Sequence, residues 1–117
     1  MRISEMAKMT DLSASKLRYY EKKQLIKVKR DENGRRVYDE NDVEWVKFIC
    51  RLKDTGMILK DIQKYAKLRY AGESTMAERL EMLRAHREYV LKQQLKWQEY
   101  LENLDAKIEF YKAAIGD

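Results

Sequence analysis

The chain has no proline, one cysteine and only four glycines in 117 residues. Proline removes a helix hydrogen bond and clashes with the preceding turn, so its absence favours long uninterrupted helices. A single cysteine excludes an internal disulfide and a cysteine-built metal site, and makes a reducing, cytoplasmic setting the expected one. No apolar run is long enough to predict a membrane span, and Met1-Arg2-Ile3-Ser4-Glu5 lacks the apolar stretch of a secretory signal. Catalytic patterns are missing as well. The one histidine, His86, has no Ser or Cys partner at a recognisable spacing. Glycine-rich phosphate loops, HExxH, paired CxxC and EF-hand patterns do not occur. The sequence therefore predicts no enzyme, no metal and no cofactor.

What the chain does have is charge, at 38% of its residues, and it is unevenly spread. Residues 1–38 hold 11 Lys/Arg against 5 Asp/Glu, residues 39–72 hold 7 against 6, and residues 73–117 hold 7 against 9. The positive field belongs to the N-terminal third, as expected of a nucleic-acid footprint.

That third also has the strongest local patterns. Ile3, Met6, Ala7 and Met9 predict the apolar face of a first helix. Thr10-Asp11-Leu12-Ser13 reads as a turn, with Ser13 capping a second helix over about 14–22 whose Leu17 and Tyr20 face inward. Leu25 and Ile26 return the chain to the core. Val28–Arg30, Asp31–Gly34 and Arg35–Tyr38 read as strand, turn and strand, and Asn33-Gly34 is the strongest hairpin signal because both residues tolerate positive φ. Asp39 or Asn41 is expected to cap a third helix running to about Thr55, with Val43, Val46, Phe48, Ile49 and Leu52 inward and Gly56 as its stop. A fourth, over about 59–70, uses Ile62, Tyr65, Ala66 and Leu68.

From Ser74 to Ala114 there is no glycine, and the apolar spacing alternates between three and four. One heptad register places Leu80, Arg87, Gln94, Leu101, Ile108 and Ile115 at a. It places Met76, Leu83, Val90, Trp97, Leu104 and Tyr111 at d. Ten of these twelve are apolar, which predicts a coiled coil. A helix of that length is roughly 60 Å long at 1.5 Å per residue and needs a partner along its apolar stripe. The alternative is a single amphipathic helix folded back on its own domain.

A duplex could be gripped at two places. Ser13 and the first N–H groups of helix two can meet one phosphate, Lys16 and Tyr19 share a face, and Arg18 can fork onto another phosphate. The wing offers Arg35, Arg36 and the Tyr38 hydroxyl. The competing reading pairs Arg18 and Arg36 with Glu21 and Asp39, and buries the tyrosines in the core.

Helix-turn-helix, Leu17-Arg18-Tyr19-Tyr20-Glu21, a basic wing closing on Arg35-Arg36-Val37-Tyr38-Asp39-Glu40, then Leu52-Lys53-Asp54-Thr55-Gly56-Met57 and a long terminal helix: this order resembles the MerR family of bacterial transcriptional regulators over the whole chain. The resemblance implies a mainly α fold, with a winged helix-turn-helix domain over residues 1–72 (helix-turn-helix about 3–22, wing about 28–38) and a dimerisation helix over 73–117. It also implies a homodimer joined by an antiparallel coiled coil and bound to one palindromic promoter. By the same resemblance, the promoter is bent and untwisted so that RNA polymerase can use two over-separated elements, at a deformation cost of about 1–10 kcal/mol. DNA contacts carried over fall on Lys16, Arg18 and Tyr19 of helix two and on Arg35, Arg36 and Tyr38 of the wing. Asp11 stands where many members have glycine, and Lys27-Val28 lacks the proline often found there.

The effector is less defined. Metal-sensing members carry cysteines around the long helix and drug-sensing members append a ligand domain. This sequence has no such cysteines, and no residues after Asp117 for that domain. Two candidates remain. Cys50 resembles the helix-three cysteine with which some short members answer reactive aldehydes or nitrosative stress, with Lys47, Arg51 and Lys53 nearby to lower its pKa; the alternative is a small buried hydrophobe. Tyr65, Tyr70, Tyr89 and Trp97 are candidates for an aromatic ligand pocket at the domain junction. From a different class comes the rival of a coiled-coil adaptor whose basic domain is incidental.

Overall fold

Helix α1 (Ile3–Thr10) and helix α2 (Ala14–Lys22) form the helix-turn-helix in a computed structural model that describes residues Met1–Asp117. Met6 is the buried anchor of α1, but Met9 is half exposed, contrary to the expected apolar face. Thr10 takes the inward position instead, its hydroxyl satisfied by the Met6 carbonyl at 2.8 Å. Asp11 adopts the left-handed conformation at φ 57°, and its N–H caps the Ala7 carbonyl. Aspartate is one of the few residues that visit this region readily, so the missing glycine leaves the turn intact. Ser13 caps α2 as expected, accepting from the Lys16 N–H at 3.0 Å, and Leu17 and Tyr20 are buried.

After α2 the chain reverses through Gln24, at φ 63°, and buries Leu25 and Ile26. Residues far away in sequence clamp this connection. Trp45 Nε1 donates to the Leu25 carbonyl at 2.9 Å, Gln63 to the Lys23 carbonyl at 3.0 Å, and the Lys27 N–H to the Tyr70 hydroxyl at 3.0 Å.

Strands β1 (Lys29–Arg30) and β2 (Arg36–Val37) are antiparallel, with Lys29 opposite Val37 and Arg30 opposite Arg36. Of Asn33-Gly34, only Gly34 uses positive φ, at 76°. The turn is closed from Asp31, whose Oδ1 accepts from the N–H groups of Asn33 (2.9 Å) and Arg35 (3.0 Å).

Helix α3 (Glu40–Asp54) starts on a reciprocal capping box between Asp39 and Asp42, so Asp39 rather than Asn41 is the cap. Its buried face is Val43, Trp45, Val46, Ile49 and Leu52. Phe48, expected inside, is only half-buried, because Trp45 occupies the centre. Helix α4 (Leu59–Ala71) buries Ile62, Tyr65 and Ala66, while Leu68 is half-buried. A single 3₁₀ turn (Glu73–Thr75) leads into α5 (Met76–Ile115). Thr75 donates to the Leu68 carbonyl, and Arg79 reaches both Thr75 and the Gly72 carbonyl. These bonds tie the first turns of α5 to α4, and the first compact unit runs Met1–Met82.

The second unit, Leu83–Asp117, consists of the rest of α5. No α5 residue is fully buried in the single chain, and the seam residues Trp97, Leu101, Leu104, Ile108, Tyr111 and Ile115 are all more than half exposed. Leu95, Tyr100 and Phe110 are exposed as well but lie off the seam, so the apolar surface is broader than a strict two-position stripe. No helix is long and apolar enough to cross a membrane.

Candidate nucleic-acid interface

The exposed side of α2 carries cations packed on aromatic rings. Lys16 Nζ lies 5.3 Å from the centre of the Tyr19 ring and Lys23 Nζ lies 5.8 Å from it. Such cation–π contacts hold flexible lysines over a defined spot. Ser13, Arg18 and Tyr19 are exposed and Lys16 is half-buried, so all four side chains are accessible on α2 and its cap.

On the wing, Arg35 is exposed at the tip and Arg36 is half-buried. A cleft of about 250 Å³ between α1 and the wing is lined by Arg2, Ile3, Arg30, Gly34, Arg35 and Arg36. Two of its arginines were not among the expected site residues. The hairpin register could have identified Arg30, which stands opposite Arg36. Arg2 has no local signal: a 2.7 Å ion pair with Asp31 and a bond to the Arg36 carbonyl bring it to the wing.

Glu21 of α2 joins the helix to the wing. Its carboxylate accepts from Arg30 Nη2 and from Arg36 Nε, each at 3.0 Å. Arg36 is thus ion-paired, but with Glu21 rather than with Asp39, which pairs with Lys29 at 3.6 Å. Arg18 stays exposed without joining this cluster.

Tyr38 lies inside rather than on the wing surface where the sequence placed it. Its residue is 2% exposed and its hydroxyl is buried with no hydrogen-bond partner, so it does not present that hydroxyl on the wing surface. Burial raises its pKa, as does the Glu21 carboxylate, against the opposing pull of nearby arginines. The ring is held in because the Tyr38 backbone pairs with Met1, donating to the Met1 carbonyl at 2.8 Å and accepting from the Met1 amine.

Cys50 is half-buried, with its sulfur 3.9 Å from the Tyr20 hydroxyl. Burial, with Cys50 as a second cause, pushes the Tyr20 hydroxyl above its ordinary value of 10. The aromatic candidates divide. Tyr65 is buried and stacks on Trp45 at 5.8 Å, and Tyr70 meets Trp45 edge-on at 6.4 Å. Tyr65 thus packs in the core, while Tyr70 is half-buried and takes the Lys27 N–H on its hydroxyl. Tyr89 and Trp97, in the second unit, are exposed and touch His86 and Tyr100 of their own helix. No group of three or more His, Cys, Asp or Glu is placed to hold a metal ion.

Residues 1–68 match the family described as MerR HTH family regulatory protein, and residues 43–109 match MerR, DNA binding. An uncharacterized HTH-type transcriptional regulator of Haemophilus influenzae is 36% identical over 95% of this chain and 83% of its own length. The Bacillus subtilis HTH-type transcriptional regulator AdhR is 36% identical over 78% of this chain and 66% of its own. Among solved structures, HiNmlR, a MerR family regulator lacking the sensor domain and bound to promoter DNA, superposes with a TM-score of 0.87. It is 35% identical, and the match covers 97% of this chain and 90% of that one. A cationic helix-turn-helix, a basic wing tied to it through Glu21 and these matches together place the chain in the MerR family of DNA-binding, non-enzymatic transcriptional regulators.

Proposed function

We propose that two copies of this chain bind one inverted-repeat promoter site in the bacterial cytoplasm. Helix α2 enters the major groove, and the wing grips the flanking backbone. The observation that carries this reading is Glu21, which holds Arg30 and Arg36 of the wing in fixed relation to the cationic face of α2. Ser13, Lys16, Arg18 and Tyr19 serve the helix grip, and Arg35, Arg36, Arg30 and Arg2 the wing grip. Residues 73–117 act as the dimerisation helix through an antiparallel coiled coil. The exposed apolar seam of α5 supports this, since it has no partner within its own unit. The promoter-bound state of HiNmlR supports the choice of duplex. Bending and untwisting the promoter for RNA polymerase follows from the family.

Salt titration tests the grip. Each neutralised phosphate contributes about 0.9 to the slope of log affinity against log salt, so Arg18→Ala and Arg35→Ala should each flatten the slope by about that much. Unchanged slopes would overturn the assignment, and a salt-independent wild type would favour the adaptor reading.

A second reading concerns the signal. Cys50 sits against Tyr20 of α2, so a covalent adduct on its sulfur would press directly on the DNA-reading helix. Cys50→Ser should then keep DNA binding and lose any response to an aldehyde or nitrosating agent.

A further inference from the structure

A cleft of about 190 Å³ opens between α2, α3 and α4; it shares Lys16 and Tyr19 with the proposed DNA grip and Tyr20 with the Cys50 contact, while the rest of its lining belongs to neither. Its apolar part is formed by Leu25, Ile49, Met57 and Ile62, all buried, while Lys16 and Lys53 also line it. Concave apolar space with a few converging polar groups is the usual form of a small-molecule site. The charge on it has one sign. Both lysines line this one cleft, and the charge of Lys53 holds Lys16 below its ordinary pKa. An anion between them would relieve that repulsion. Size narrows the ligand further. An apolar cavity of about 150 Å³ accepts benzene, so this cleft suits one ring with a short acidic arm.

We propose that this cleft binds a single-ring organic carboxylate, with its ring on Ile49 and Ile62 and its carboxylate between Lys16 and Lys53. Lys16 and Tyr19 line the cleft and also belong to the DNA-facing side of α2. The acid therefore competes with the duplex for Lys16. Only this competition rests on the proposed DNA reading; binding to DNA-free protein does not.

The test titrates phenylacetate into the full-length protein without DNA, followed by calorimetry and by NMR shifts. Saturable binding at one site per chain is expected. It should weaken about tenfold in Lys53→Gln and in Leu59→Trp, which fills the cleft from its wall, with both variants checked for folding by circular dichroism. Neutral phenylacetamide should bind at least tenfold more weakly than the acid. In a second arm, saturating phenylacetate should lower duplex affinity in the wild type and have less effect in Lys53→Gln. Absence of saturable binding, as when a second copy closes the cleft, overturns the proposal. So does equal affinity for the amide, or binding indifferent to both variants. Binding without any effect on the duplex overturns the competition. Ligand-free protein that binds no duplex at all is a failure of the DNA reading, and the DNA-free titration still decides this site.

Discussion

Arg36 Nε donates to Glu21 Oε1 at 3.0 Å across 15 residues of sequence, joining the wing to the second helix of the helix-turn-helix. Side-chain exposures of 28% and 23% leave the pair screened by solvent, so its worth to stability stays at or below about 1 kcal/mol. Its larger role is geometric, because it sets where the wing cations stand relative to Arg18 and Tyr19.

Glu21→Gln should therefore cost specificity more than stability. Operator affinity should fall about tenfold. Affinity for a scrambled duplex should hold or rise, since a negative charge beside the phosphates is gone. Fluorescence anisotropy on both duplexes reads the ratio. Equal losses on the two would show that wing position does not matter.

Tyr38→Phe should be neutral or stabilising. A buried hydroxyl without a partner costs about 1–3 kcal/mol in desolvation, and Tyr38 carries one. Urea denaturation should show a midpoint equal to or above wild type, with operator affinity retained. A large loss of affinity would mean that DNA draws the hydroxyl out.

Leu101→Glu and Leu104→Glu place a charge on the exposed seam of α5 and leave the buried residues of the first unit untouched. Light scattering should show the wild type as a dimer and the full-length variants as monomers at the same concentration. Operator affinity should fall at least tenfold once the two heads are unlinked. Variants that remain dimeric would contradict the assigned seam.

Acid should loosen the wing and the cap of α3. The Arg35 N–H, followed by Arg2, holds the Asp31 carboxyl below its ordinary 3.8, and the Asp42 N–H does the same for Asp39. A lowered folded-state pKa adds stability that is fully present above 3.8 and is lost as pH falls through the lower folded value. Asp42 acts in the opposite sense, because burial raises its pKa, so protonating it recovers a little stability as pH falls toward 3.8, above the window in which Asp31 and Asp39 lose theirs. Below pH 3.8 the wild type should lose stability more steeply than Asp31→Asn, as read from urea midpoints against pH.

Local physics made much of this protein legible in its sequence. Ser13 announces α2 because a short hydroxyl before a helical run satisfies an orphan N–H. Asn33-Gly34 announces the hairpin, and the three-four spacing after Ser74 announces one long helix with an apolar seam. The excess of Lys and Arg before Tyr38 points to a polyanion whatever the packing. Each of these signals lies within a few residues of chain, where backbone geometry and side-chain chemistry decide the outcome.

Tertiary structure decided the rest. Trp45 becomes the centre of the core because the Leu25 carbonyl, 20 residues away, takes its N–H. Tyr38 turns inward because Met1 pairs with its backbone, and Arg2 reaches the wing through Asp31. Arg36 chooses Glu21 over Asp39, Cys50 meets Tyr20, and Lys53 comes to line the same cleft as Lys16, each through packing of separate helices and the hairpin. Such pairings depend on which surfaces meet in space, and spacing along the chain does not encode them at short range. The sequence alone thus determined which elements form and what kind of partner they suit, while the tertiary structure decided which side chains remain free to hold that partner.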